Sequence, residues 1–120
     1  MDTRSEKNLQ GVNPNLVKVI RAVADKQVMD FIVTEGLRTV ERQKQLVAAG
    51  ASKTMNSRHL TGDAVDLAVK VNGEVRWDWP LYSKLATIVL DTAKELGVDI
   101  TWGGHWKTFK DGPHFELTRK

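Results

Sequence analysis

The apolar residues of this chain recur with two periods, and the switches between them divide it into elements. Asn13 followed by Pro14 reads as a helix start, a side-chain cap with proline at the first helical position, and Leu16, Val19, Ile20 and Val23 then repeat at helical spacing. Phe31, Ile32 and Val33 make a short β-rich run that stops at Gly36, after which Thr39 can cap a second helix running to Gly50. Arg38 is therefore expected at a strand-to-helix junction. Residues 51–58 are small and polar and read as a loop leading to His59. From Asp63 the period becomes two, with Val65, Leu67 and Val69 on one face and Ala64, Asp66 and Ala68 on the other. Asn72-Gly73 is the strongest hairpin signal in the chain, with Glu74 to Trp77 as the returning strand. Pro80 opens a third helix whose Leu81, Leu85, Ile88 and Val89 form one stripe, and Gly97 closes it. Short strands at Ile100 to Trp102 and His114 to Leu117 complete the pattern.

Helices first, then antiparallel strands mixed with one long helix, predict an α+β fold: a small antiparallel sheet with helices packed on one side and a groove on the other. At 120 residues the chain fits a single domain spanning 1–120. Its 41% hydrophobic and 28% charged residues are those of an ordinary globular protein. No run approaches the roughly twenty apolar residues of a membrane span, so membrane insertion is not expected. Residues 1–12 are polar and charged and lack the apolar stretch of a signal peptide. The net charge of +3 favours polyanions, but the basic residues form no continuous run and no basic helix face interleaved with aromatics. Nucleic acid is therefore not expected as a partner, and an anionic cell-wall polymer would be attracted equally well. With no cysteine, disulfides, cysteine-rich zinc sites and thiol catalysis are all excluded.

The candidate chemistry lies in two segments, SRHLTGDAVDLAV (Ser57 to Val69) and DGPHFEL (Asp111 to Leu117). Together they offer His59, Asp66 and His114, three imidazole and carboxylate ligands that leave a fourth position for water, with Asp111 as an extra carboxylate for proton transfer. Strand alternation puts Asp66 opposite the core-facing Val65, Leu67 and Val69, between two small alanines. In the last strand Phe115 and Leu117 can face the core while His114 and Glu116 share the other side. If these strands pair, at a spacing of about 4.8 Å, Asp66 and His114 can reach one ion. Gly62 supplies the turn that brings His59 back over Asp66. Taken singly, each residue has a plainer reading: a surface loop histidine, a carboxylate paired with a base, a half-buried histidine. An aspartate buried in an apolar alternating strand, however, requires a partner.

S-x-H-x-x-G-x-A-x-D followed some fifty residues later by D-G-x-H-x-E-L resembles the zinc peptidases that include the D-alanyl-D-alanine carboxypeptidases and dipeptidases. The similarity is strongest to the L-alanyl-D-glutamate endopeptidases of bacteriophage lysis. It extends to Asn13-Pro14, to Gly36 through Thr39 with Gln43 beyond, and to Trp102-Gly103-Gly104. The resemblance implies a hedgehog and D-Ala-D-Ala peptidase-like fold and Zn²⁺ held by His59, Asp66 and His114. It also implies Asp111 as general base and Arg38 as the donor that stabilises the developing oxyanion. Ser57 and Gln43 match positions near the substrate or behind the ligands, and Glu116 would orient a ligand. Where relatives often carry an acidic residue after Trp-Gly-Gly, this chain has His105, followed by Trp106; a surface position is the first expectation for His105. Trp102 and Trp106 could wall a groove or serve as core and rim.

The function so implied is a zinc-dependent peptidoglycan endopeptidase that cuts the stem peptide at the L-alanyl-D-glutamate bond. It would be a monomeric phage-type endolysin, made in the host cytoplasm and reaching the wall through a holin-like pore. The alternatives are a D-Ala-D-Ala carboxypeptidase or dipeptidase, and a wall-binding module that keeps the fold without turnover.

Overall fold

The computed structural model describes residues 1–119 apart from 53, 56, 108 and 109, so two positions of the expected 51–58 loop lie outside the described residues. Among the described residues four helices, α1 (Thr3–Asn8), α2 (Pro14–Lys26), α3 (Val40–Ala48) and α4 (Trp79–Glu95), accompany five strands: β1 (Asp30–Glu35), β2 (Ala64–Val71), β3 (Glu74–Arg76), β4 (Ile100–Trp102) and β5 (His114–Leu117). The sheet is antiparallel in the order β1-β2-β5-β4, with β3 paired to the distal end of β2. This is the α+β architecture expected from the period switches.

The elements start and stop where the sequence chemistry places them. The Asn13 side chain accepts from Asn15 N, the Thr39 side chain accepts from Arg42 N, and Gly97 follows α4 at φ 72°. The core lies between one sheet face and helices α2 and α4. Val65, Leu67, Val69 and Phe115 from the sheet meet Leu16, Val19, Ile20, Leu85 and Val89 from the helices, all essentially buried. Helix α3 contributes nothing to this cluster; its one buried residue is Gln43, and its Leu46 walls a cleft on the opposite face.

Helix α1 was not legible in the polar residues 1–12, because six residues are too few to form a helix on propensity alone. Tertiary hydrogen bonds hold it in place. Ser5 Oγ accepts from Val33 N at 2.9 Å, and Asn8 Nδ2 donates to the carbonyls of Val33 and Thr34 at 2.8 and 3.2 Å. The helix thus covers the free edge of β1, which would otherwise expose unpaired backbone groups.

Two glycines set the path of the chain toward the other face. Gly36 packs so closely that a Cβ there would lie 2.0 Å from the Asn8 carbonyl oxygen, and Gly62 ends a 3₁₀ turn (Arg58–Thr61) at φ 76°, where a Cβ would lie 2.5 Å from the Gly11 carbonyl oxygen. Gly62→Ala combines that clash with left-handed strain. It is expected to cost about 1–3 kcal/mol, read as a lower urea midpoint at unchanged slope. A variant that unfolds with the wild type would show that the turn tolerates a side chain.

Candidate metal centre

Strand β2 pairs with β5 so that Asp66 is directly opposite His114, Val65 opposite Phe115 and Ala64 opposite Glu116. Residues opposite one another share a sheet face, so Asp66 and His114 stand together on the side away from Val65 and Phe115. On the other flank of β2 the register with β1 slips between Val33 and Glu35, and this bulge makes Glu35 the partner of Asp66. The third group, His59, comes from the 3₁₀ turn, whose start is capped by Ser57 Oγ accepting from His59 N. That turn is stitched to the segment after β1 in both directions: Arg38 N donates to the His59 carbonyl at 2.9 Å, and His59 Nδ1 donates to the Gly36 carbonyl at 2.8 Å.

His59, Asp66 and His114 each offer a ligand atom within 4.8 Å of the others, and among the described residues they are the one group of three His, Asp or Glu side chains so arranged. His59 Nε2 lies 3.2 Å and His114 Nδ1 3.3 Å from the same oxygen, Asp66 Oδ1. The opposite nitrogen of each ring is already committed, His59 Nδ1 to the Gly36 carbonyl and His114 Nε2 to Glu116 Oε1 at 2.8 Å. With those outer N–H groups donated, the inner nitrogens of neutral rings present lone pairs to a carboxylate oxygen. Three acceptors facing one another repel unless a proton or a cation lies among them. The donor set, two imidazoles and a carboxylate with the rings oriented from behind, therefore fits a divalent metal of the zinc type.

The titration of these groups follows from the same crowding. Burial works to raise the Asp66 pKa, but hydrogen bonds to His114 and His59 and their charge outweigh it and hold the carboxyl far below the usual carboxylate range. Burial works to lower His114, yet its hydrogen bonds to Asp66 and Glu116 push it up to about 9. Glu116 is also buried, and its bond to His114 keeps it below its ordinary value. For Asp111 burial raises the pKa and the nearby Asp66 charge raises it further, against the pull of His114, His59 and Arg38. A carboxyl so biased is suited to taking up and releasing a proton.

A cleft of about 230 Å³ opens over these groups, lined by Glu35, Arg38, Ser57, Trp106 and Asp111 as well as His59, Asp66 and His114, with Leu46 and Ala51 forming an apolar corner. Arg38 is 9% exposed, and its guanidinium forks onto Glu35, Nε to Oε1 and Nη2 to Oε2, both at 2.8 Å. Nη2 also lies 3.7 Å from Asp66 Oδ2, and Nη1 donates to Gln43 Oε1 at 2.6 Å. Gln43 does not line the cleft. Wholly buried, it passes the contact outward, its Nε2 donating to Ser52 Oγ at 2.7 Å and the Thr54 carbonyl at 2.5 Å. Ser57 both caps the turn and faces the cleft. Glu116 stands behind His114, with Arg58 and Arg119 at 3.9 and 3.5 Å from its other oxygen. Arg58 further donates to the Leu117 carbonyl at 3.2 Å, tying the His59 turn to β5. His105 is exposed and sits edge-on to Trp102, while the Trp106 ring lies 4.9 Å from that of His114. Trp102 itself is buried and donates Nε1–H to the Gly112 carbonyl at 2.7 Å, which fixes the loop carrying Asp111.

Glu35 was the residue missed by sequence reasoning. Its signal was available as a carboxylate at the end of a strand, three residues before Arg38, but the bulge that turns it toward Asp66 leaves no trace in the sequence.

Comparison with known proteins places this geometry in context. The chain matches the family of phage L-alanyl-D-glutamate peptidases over residues 1–118. It is 35% identical over 119 residues to the L-alanyl-D-glutamate peptidase of Escherichia phage T5, covering 96% of this chain and 86% of that protein. The crystal structure of the Serratia marcescens L-Ala D-Glu endopeptidase ChiX superimposes with a TM-score of 0.91 at 50% identity, covering 98% of this chain and 89% of that one. The vancomycin resistance D,D-dipeptidase VanXYg shares the fold at 16% identity, with a TM-score of 0.58 over 88% of this chain and 50% of its own. By its near-complete match, this chain belongs to the family of phage L-alanyl-D-glutamate peptidases.

Proposed function

We propose that this chain is a zinc-dependent peptidoglycan endopeptidase that hydrolyses the L-alanyl-D-glutamate bond of the stem peptide. The observation that carries this reading is the convergence of His59, Asp66 and His114 ligand atoms within 4.8 Å, in a cleft that also holds Asp111. Relatives named for the same bond support it. The 120 residues act as one catalytic domain on the cell wall, as a phage-type endolysin working as a monomer and released from the host cytoplasm through a holin-like pore.

When bound to the three ligands, zinc supplies a Lewis acid that acidifies water and polarises a carbonyl. The rest of the chemistry belongs to side chains of the chain. Asp111 takes a proton from the attacking water as the new C–O bond forms and then gives it to the amide nitrogen, after which the C–N bond breaks and D-glutamate leaves as a free amine. Arg38, held flat by Glu35 and Gln43, keeps its position at the cleft and presents positive charge to the carbonyl oxygen as it becomes anionic. Glu116 and the Gly36 carbonyl hold the two imidazoles at fixed rotation, so that the inward nitrogens stay aimed at one point.

Digestion of purified peptidoglycan should yield new L-alanine C-termini and D-glutamate N-termini by mass spectrometry; release of D-alanine alone would assign a carboxypeptidase instead. Asp111→Ala is expected to lower kcat about 10²–10⁴-fold while elemental analysis still finds the wild-type zinc content. Retained turnover would remove Asp111 from proton transfer.

Metal uptake should also be linked to pH. The metal-free protein holds His114 at about 9 against an ordinary 6.5, so near neutrality the ring is protonated and zinc must expel that proton. Because the folded pKa is the higher one, the stability that protonation lends the metal-free fold is complete below 6.5 and disappears as pH rises through about 9. Calorimetric titration with zinc in buffers of different ionisation enthalpy should detect proton release at pH 7 that fades above pH 9. Equal proton release on both sides of that value would contradict the assignment.

A further inference from the structure

Two of the four tryptophans remain largely in water: Trp77 is 62% and Trp79 46% exposed. An indole is among the costliest side chains to leave wet, and two of them one residue apart, rimmed by polar groups, mark a binding surface. Neither ring is loose. Trp77 stacks on Tyr82, centroids 6.0 Å apart and planes 5° from parallel, and Tyr82 is buried with its hydroxyl donating to the Arg76 carbonyl at 2.7 Å and accepting from Val69 N at 3.1 Å. Trp79 leans on Trp102 at 5.6 Å, and Trp102 is pinned by its bond to the Gly112 carbonyl. Each exposed indole is thus backed on one side by a buried, hydrogen-bonded aromatic ring and remains partly open to solvent. The exposed Arg76 and Asp78 flank Trp77 and pair with each other at 2.6 Å, giving the patch a polar rim.

We propose that Trp77 and Trp79 form a stacking platform for the N-acetylhexosamine glycan to which the stem peptide is joined. The proposal rests on the peptidase reading above and adds a second subsite to it. In peptidoglycan the stem peptide starts with L-alanine, amide-linked to the lactyl group of a muramic sugar. A single residue, at most about 3.6 Å of chain, and that lactyl group separate the L-alanyl-D-glutamate bond from a pyranose ring. An enzyme that cuts this bond must therefore accommodate sugar at the edge of its catalytic cleft. The tryptophans adjoin the loop that carries Asp111: a Cβ on Gly112, the next residue, would lie 3.3 Å from the Trp79 ring and 3.3 Å from Tyr82, the ring on which Trp77 stacks. A pyranose presents an apolar C–H face that matches a flat indole and a ring of hydroxyl and acetamido groups that match a polar rim such as Arg76 and Asp78. Rigid, pre-oriented aromatic faces bind such a ligand with little ordering cost.

The test compares two soluble substrates, the free stem tetrapeptide and the same peptide joined to its disaccharide. Trp77→Ala, and Trp77→Ala combined with Trp79→Phe to keep the packing on Trp102, should lower kcat/KM on the disaccharide-peptide about tenfold while the free peptide is cut within about twofold of wild type. Cleavage of the free peptide doubles as the control for folding. Equal loss on both substrates, or loss on neither, overturns the platform. An N-acetylglucosamine tetramer titrated into the zinc-loaded wild type should shift the indole N–H resonances of Trp77 and Trp79. If the wild type cuts neither substrate yet those resonances shift, the peptidase reading fails and the sugar platform stands. If both substrates are cut and the variants match the wild type, the platform alone fails.

Discussion

The pairing of β2 with β5 is the constraint on which the rest of this molecule depends. Asp66 and His114 are separated by almost fifty residues of chain, and they meet only because Val65 is registered on Phe115 and both are driven into the core. A slip of one residue in either strand would turn Asp66 or His114 toward α2 and α4 and the apolar side chains toward the cleft. Burial of one sheet face thus aligns the chemistry on the other. Hydrophobic packing and the convergence of Asp66 with His114 are specified by the same alternation.

Around that pair the chain spends hydrogen bonds on orientation. The Gly36 carbonyl and Glu116 take the outer N–H of the two imidazoles, and the Glu35 carboxylate and Gln43 take those of Arg38. These partners are mostly buried and come from β1, α3 and β5, so the cleft is assembled from several elements rather than from one loop. The concentration of acceptors near Asp66 is unfavourable by itself and is relieved by positive charge: a proton on His114, the Arg38 guanidinium, or a metal ion. This is the electrostatic reason that a cluster of this kind suits a cation or a proton.

The groove side is completed by features outside the His59, Asp66 and His114 cluster. Helix α3 brings Leu46 and the buried Gln43 beside the cleft instead of joining the core, and the loop carrying Asp111 is held by Trp102 through the Gly112 carbonyl. The same Trp102 supports Trp79, so one buried indole links the placement of the carboxylate to the exposed aromatic surface at the start of α4.

Much of this was legible in the chain. Period-two alternation from Ala64 to Val69 sorted Asp66 away from the core, Asn72-Gly73 located the hairpin, and the caps at Asn13 and Thr39 bounded two helices, because each depends on neighbours within a few residues. The two motif segments also pointed to the residues that converge, His59, Asp66 and His114, since histidine and aspartate in otherwise apolar surroundings demand partners. Other features were decided only by the folded chain. Helix α1 exists because the free edge of β1 needs Ser5 and Asn8, the bulge at Glu35 answers to the register with β2, and the ring nitrogens that face Asp66 are chosen by Gly36 and Glu116. Local periodicity and capping act over a few residues and are written in sequence, whereas edge protection, strand register and the aim of an imidazole depend on groups that become neighbours only when the sheet has closed.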